Sequence, residues 1–227
     1  MSATTRPAFY ALAPGGWRDY VTLLHPPYTA WHLSYVAIGA CLAPTFYADR
    51  LGAAAAAFFL AMGIGAHALD EWQDRPLQTR IGKPMLLALA TLSLLGAAGI
   101  GVVTAVYTSL GLLVFVAVGS FIAVAYNLEL FGGRFHGTLW FALGWGALPV
   151  LATYFAAAET IHAEAVAAAT FAALLSWAQR VLSTPVRIQR RQEGALKADG
   201  KQAELALRIL SAATVALAVA LVLVRVT

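Results

Sequence analysis

Charge is the scarcest property of this chain. Only 11% of its 227 residues are charged, whereas a soluble domain carries about 25%. Apolar residues make up 60% of the sequence, and the mean hydropathy is +0.73. Uncharged apolar runs long enough for membrane-spanning helices recur along the chain. The composition therefore excludes an ordinary soluble domain and predicts an all-α, polytopic membrane helix bundle.

Cysteine is almost absent, and the N-terminal part lacks a compact apolar core. The single cysteine, Cys41, excludes an intrachain disulfide. Residues 1–27 do not have the pattern of a cleavable signal peptide. Their apolar residues instead recur at helical spacing before Pro26, which predicts a short interfacial helix with Trp17, Tyr20, Val21 and Leu24 on one face. We therefore divide the chain into an N-terminal interfacial segment, 1–27, and a single transmembrane domain, 28–227.

Seven apolar segments follow, each close to the roughly 20 residues that cross a bilayer. The predicted spans are 28–47, 51–69, 84–106, 109–131, 137–157, 162–183 and 203–225. Glycines in the third and fifth spans, which permit close helix contact, are Gly96, Gly99, Gly101, Gly144 and Gly146.

The basic residues predict the orientation of these spans. With the N-terminus in the cytoplasm, thirteen of the fifteen Lys and Arg residues lie on the cytoplasmic side, and only Arg50 and Arg225 lie outside. This asymmetry is what the positive-inside rule describes, and with seven spans it places the C-terminus outside. Because the basic residues flank apolar spans, we expect membrane lipids and no nucleic acid as partners. We expect the protein in the plasma membrane of a prokaryote.

An acidic stretch, residues 67–81, follows the second span. It contains Asp70, Glu71 and Asp74. If the helix continues this far, Asp70 and Asp74 are one turn apart on one face. Two carboxylates so placed can hold Mg²⁺, which takes a few carboxylates plus water or phosphate oxygens. A charged helix end in the headgroup region is the alternative interpretation.

The predicted topology puts the acidic stretch and a basic loop, residues 180–201, on the same cytoplasmic face. The loop contributes the candidate phosphate ligands Arg180, Arg187 and Arg190. Carboxylates and guanidinium groups at the mouth of an apolar bundle suit a ligand with an anionic head and an apolar tail. Isoprenyl diphosphates and some phospholipids fit this description.

The acidic stretch also resembles a known motif. Span 2 and its loop are similar to the first aspartate motif of the UbiA-type intramembrane prenyltransferase superfamily, N-D-x-x-D-x-x-x-D, followed by R-P-x-x-[ST]. Asp70 and Asp74 match its last two aspartates, and residues 75–79, RPLQT, match the later element. Ala66 and His67 stand where the family has Asn and Asp.

The resemblance continues in part beyond this motif. The pair Tyr126-Asn127 and the segment GTLWFALGWGALPVL are similar to the end of span 4 and to span 5 of the family. Two features differ from it. The segment RVLSTPVRIQRRQEGALKADGK has Gly200-Lys201 but not the second aspartate pair, and family members typically have nine spans.

The resemblance implies metal-assisted loss of diphosphate from an isoprenyl chain. The resulting cation is captured by an acceptor or cyclises. Asp70 and Asp74 would then be metal ligands and, with Glu71, catalytic. The substrate-binding candidates are His32, His67, Arg75, Tyr126, Asn127, Arg180, Arg187 and Arg190.

Two alternatives to the enzyme remain. A non-catalytic relative would bind a prenyl or other anionic lipid, and the missing second motif supports this reading. A transporter or receptor-like protein is disfavoured because the acidic residues cluster at one membrane face and no internal repeat is visible. A second copy in a homo-oligomer could supply the spans that the family has in addition.

Overall fold

The computed structural model describes residues 6–227, so the first five residues of the predicted interfacial segment lie outside it. The prediction of an all-α fold is confirmed: the structure is 77% helical, and residues 6–227 contain no strand. The helices are α1 (Trp17–Leu23), α2 (Pro26–Leu42), α3 (Ala48–Gln73), α4 (Lys83–Tyr107), α5 (Leu112–Asn127), α6 (Thr138–Ala158), α7 (Ala163–Gln192) and α8 (Ala198–Val226).

Five of these helices are long and apolar enough to cross a membrane, which is compatible with an integral membrane protein. They are α3, α4, α6, α7 and α8, with 21 to 30 residues each. Helices α2 and α5 are shorter, with 17 and 16 residues. Helix α2 ends at Leu42, earlier than the predicted 47, because Ala43 before Pro44 is extended. Five helices of spanning length are therefore established.

Helix α2 lies at the centre of the bundle, packed against α6 and α8. Its Trp31 and Tyr35 are fully buried, and the Trp31 indole N–H donates to the Tyr35 hydroxyl at 2.6 Å. By contrast, the apolar helices α4 and α8 bury only 17% of their most apolar stretch within the chain. Apolar surface turned away from the protein is what lipid-facing helices show.

Two helices contain a π-helical segment. In α3 it covers Phe59–Ala66, directly before His67, and in α6 it covers Ala142–Ala147. Each holds two glycines, which allows another helix or a bulky side chain to approach closely. Such segments are frequent at functional sites, and both of these lead into the pocket described below.

The basic segment is not a loop, so the prediction of a loop over 180–201 is wrong for most of its length. Helix α7 continues through Pro185 to Gln192, about two turns beyond the predicted end at 183. Its polar extension still has a buried face, formed by Val186 and Gln189. The length of an apolar run predicts where a helix leaves the bilayer. It does not predict where the helix ends, because this buried face stabilises the helix beyond that point.

Candidate functional site

A pocket of about 360 Å³ lies where α3 ends and the polar extension of α7 begins. Helices α2, α5, α6 and α8 and the segment around Tyr10 also contribute to its wall. The structure brings eight of the eleven predicted site residues into this wall: His32, His67, Asp70, Asp74, Tyr126, Asn127, Arg180 and Arg187. The other three, Glu71, Arg75 and Arg190, are not part of it.

The two aspartates lie at the end of α3. Asp70 is half-buried in the last turn. The helix ends at Gln73, and Asp74 has φ −119°, although its N–H still donates to the Asp70 carbonyl at 3.0 Å. Asp70 and Asp74 therefore still make the i to i+4 backbone hydrogen bond of a helix, although the helix ends between them. Asp74 is exposed and lies at the rim of the pocket.

Three arginines of α7 face these aspartates. The Arg180 guanidinium donates to the Tyr126 hydroxyl and lies 5.5 Å from the centre of its ring. Arg187 lines the pocket and has no ion-pair partner among the described residues. Arg191 reaches the Asp74 carbonyl at 3.4 Å, although the two residues are 117 positions apart. The acidic and basic segments thus form one site.

Glu71 has its carboxylate turned to the following loop. It is fully buried and accepts hydrogen bonds from the Leu77 N–H and from the Thr79 N–H and hydroxyl, at 2.7 to 2.9 Å. These bonds use the acceptor capacity that catalysis would require. The geometry gives Glu71 the function of holding the loop that carries Pro76 to the pocket, and the predicted catalytic part stays a prediction.

Arg75 is also engaged within this loop. Its φ is +49°, and its guanidinium donates to the carbonyls of Thr79 and Ile81 at 2.9 to 3.1 Å. Together with Glu71 it fixes both sides of the turn after α3. Its predicted contact with substrate therefore has no geometric support.

Arg190 is paired rather than free. It forms an ion pair with Glu204 of α8 at 2.5 Å and donates to the Arg6 carbonyl at 3.0 Å. Glu204 also binds Arg208 at 2.8 Å. The charge of Arg190 thus ties α7 to α8 and to the N-terminal segment, whereas Arg187 lies in the pocket wall without an ion-pair partner among the described residues.

Two histidines that the sequence did not single out as site residues, His25 and His136, also line the pocket. The His25 ring stacks on His67 with 3.9 Å between centroids, and His136 stacks on Tyr126 at 4.5 Å. Burial, followed by the neighbouring His67, holds the pKa of His25 well below its usual range, so this ring is neutral at physiological pH. These residues precede α2 or follow α5, and only the tertiary fold brings them to the site.

Aromatic rings form the inner side of the pocket. Trp145, in the π-helical segment of α6, stacks on Phe141 at 5.4 Å and lies 4.6 Å from Tyr126. Their faces offer a surface that accommodates an apolar chain or a cation. The pocket therefore has a charged rim and an aromatic interior.

The carboxylates at the rim fit a metal ion that takes most of its ligands from water and substrate, and they do not fit a metal enclosed by protein ligands. Among residues 6–227, no three His, Cys, Asp or Glu side chains converge as a metal cage. Mg²⁺ commonly uses one or two protein carboxylates and completes its shell with water and substrate phosphate. Asp70 and Asp74 match that open mode.

Comparison with known proteins adds no relative: no family model, curated protein or solved structure matches this chain.

Proposed function

We propose that this chain is a membrane enzyme of the UbiA-like prenyltransferase type that acts on isoprenyl diphosphates. The observation that supports this proposal is the convergence of Asp70 and Asp74 with Arg180 and Arg187 in one pocket. The sequence indicated the aspartates through their helical spacing and motif, and the arginines through the basic segment, so the two predictions were independent. Opposite charges at the rim and aromatic rings inside suit a diphosphate head and an isoprenyl chain.

Each group has a distinct part in the proposed reaction. Asp70 and Asp74 would hold Mg²⁺, which would supply positive charge against the diphosphate leaving group. Arg187 binds phosphate oxygens directly, while Tyr126 orients Arg180. The faces of Phe141 and Trp145 stabilise the allylic cation left behind.

The proposal includes a topology. Helices α2 to α8 all cross the membrane, with the N-terminus inside, the C-terminus outside and the pocket facing the cytoplasm of a prokaryote. The distribution of Lys and Arg supports this orientation. The two shorter helices span about 25 Å, and their flanking turns cover the remaining distance.

The direct test is Mg²⁺-dependent release of diphosphate from geranyl, farnesyl and geranylgeranyl diphosphate by the purified chain. We expect Asp70→Asn, Asp74→Asn and Arg187→Ala each to lower the rate about 100-fold, because each removes a group that stabilises the leaving charge. Asp49→Asn, at the opposite end of α3, is the matched control and should keep the native rate. If no diphosphate were released from any of the three substrates, even with acceptors added, the proposed enzymatic function would be wrong.

A second function, the binding of a prenyl or other anionic lipid without turnover, is favoured by one specific observation. At the pocket end of α7 and α8, every described carboxylate has a partner within the protein: Asp199 accepts from Gln189, Glu193 pairs with Lys197, and Glu204 pairs with Arg190 and Arg208. In that case Arg187→Ala should weaken the binding of farnesyl phosphate, a substrate analogue with a poorer leaving group. Asp70→Asn should leave that binding unchanged.

A further inference from the structure

The histidines of the pocket all have the same ring orientation relative to the backbone. In each ring Nδ1 lies 2.9 to 3.2 Å from a carbonyl oxygen; the pairs are His25 with Leu23, His32 with Trp145, His67 with Gly63 and His136 with Tyr126. A carbonyl oxygen only accepts, so in the neutral ring Nδ1 carries the hydrogen and Nε2 bears a lone pair. Four hydrogen-bond acceptors are thus fixed by the backbone.

The side chain of Asn127 also donates to a backbone carbonyl and keeps an open acceptor. Its amide N–H donates to the Ala123 carbonyl at 2.7 Å, which leaves the side-chain oxygen Oδ1 as an acceptor. Asn127 and His32 are only 6% and 3% exposed, yet Oδ1 and Nε2 have no partner among the described residues and are not sealed in the interior. Buried polar atoms are normally hydrogen-bonded. Because these two acceptors open on the pocket, water or a ligand with a hydrogen-bond donor can supply the partner that each lacks.

We infer that this acceptor wall, the Nε2 atoms of His25, His32, His67 and His136 with Oδ1 of Asn127, binds an uncharged second substrate that carries hydroxyl groups. A hydroxyl supplies the missing donor, and the amide of Asn127 and the neutral ring of His25 give no preference for an ionic group. This inference rests on the proposed function, since it names the acceptor of the prenyl group and favours transfer over cyclisation.

In that transfer the hydroxyl oxygen bonds to the allylic carbon while the bond from that carbon to diphosphate breaks. The bonding electrons leave with the diphosphate, and the hydroxyl proton passes to an open Nε2. Atoms and charge balance without a further reagent.

Neutral imidazoles whose other nitrogen is bound to a carbonyl are also good transition-metal ligands. However, the part of the chain that the structure describes, 6–227, holds no three His, Cys, Asp or Glu side chains close enough to share an ion. A hydroxyl group needs only one acceptor, so it does not require several side chains to converge. Binding of a transition-metal ion is therefore included as an alternative outcome of the test.

The test compares resorcinol with 1,3-dimethoxybenzene, in which a methyl group replaces the hydrogen of each hydroxyl. Binding to the detergent-purified full chain is measured calorimetrically without prenyl diphosphate, after subtraction of a detergent blank. We expect resorcinol to bind about tenfold more tightly, since methylation leaves buried acceptors unpaired. His32→Phe and Asn127→Leu should each reduce this preference to about threefold or less. His162→Phe, in the turn before α7 and outside the pocket, should keep it.

Equal affinity of the native chain for the two ligands overturns the inference, and this comparison needs no variant to fold. Zn²⁺ binding that His32→Phe abolishes, with no preference between the two ligands, overturns it in favour of a metal. The proposed reaction is tested separately by diphosphate release. A chain that prefers resorcinol but releases no diphosphate would support the acceptor wall and contradict the proposed enzymatic function.

Discussion

Asp70 and Glu71 are adjacent in sequence, but their surroundings give them different functions. The Asp70 carboxylate lines the pocket, whereas the Glu71 carboxylate accepts three hydrogen bonds from the loop after α3. A carboxylate whose lone pairs are used in the fold stabilises structure, and one that faces a cavity is available to a ligand. The two can therefore be separated by measuring stability and activity together.

We predict that Glu71→Gln lowers the free energy of unfolding by about 1–3 kcal/mol, because one amide N–H₂ would face backbone donors in a buried site. Asp70→Asn should change stability by less than about 0.5 kcal/mol while lowering the rate of diphosphate release about 100-fold. Thermal denaturation of the two detergent-purified variants, beside the native chain, measures the difference. Equal stability of both variants would show that the Glu71 bonds contribute nothing.

At this scale the sequence predicts which residues belong to the site better than how each one acts. Motif spacing and charge singled out Asp70, Asp74 and Arg187, and all three line the pocket. The same patterns could not show that Glu71 turns to Thr79 or that Glu204 neutralises Arg190. Those pairings depend on the side-chain directions and contacts of the folded chain, which spacing alone does not contain.

Between helices, glycine decides how closely two backbones approach. A Cβ on Gly146, in the π-helical segment of α6, would lie 2.5 Å from the Ala172 carbonyl oxygen of α7. A Cβ on Gly99 of α4 would meet nothing within 4 Å. From the sequence, both glycines permit close helix contact, but of the two only Gly146 has it. Packing partners distinguish the two positions, and composition does not.

We predict that Gly146→Ala destabilises the protein by about 1–3 kcal/mol through overpacking against α7. Gly99→Ala, the matched control in a helix interior, should be neutral or stabilise by up to about 1 kcal/mol. Thermal denaturation in detergent checks both variants. Because the π-helical segment also carries Trp145, Gly146→Ala should lower diphosphate release as well. A stable Gly146→Ala variant would mean that α6 and α7 can separate without cost.

Considered as a whole, the molecule concentrates charge at one end of an apolar bundle. The pocket lies at that end, where α3 and α7 extend beyond their apolar stretches. From the positive-inside rule, the sequence predicted that the acidic stretch and the basic segment share one membrane face. It did not predict the long polar extension of α7, since hydropathy reports only where a helix leaves the apolar layer.

The orientation can be tested with single cysteines in a Cys41→Ser background, labelled in intact cells by a membrane-impermeant maleimide. Thr227→Cys, at the end of α8, should react in intact cells. Ala13→Cys and Gln192→Cys, exposed positions before α1 and at the end of α7, should react only after permeabilisation. Only α8 separates Gln192 from Thr227, so their opposite labelling tests whether α8 crosses. Six predicted spans, α2 to α7, separate Ala13 from Gln192. If exactly one of the short helices α2 and α5 failed to cross, those two positions would label on opposite sides, and the seven-span topology would be wrong.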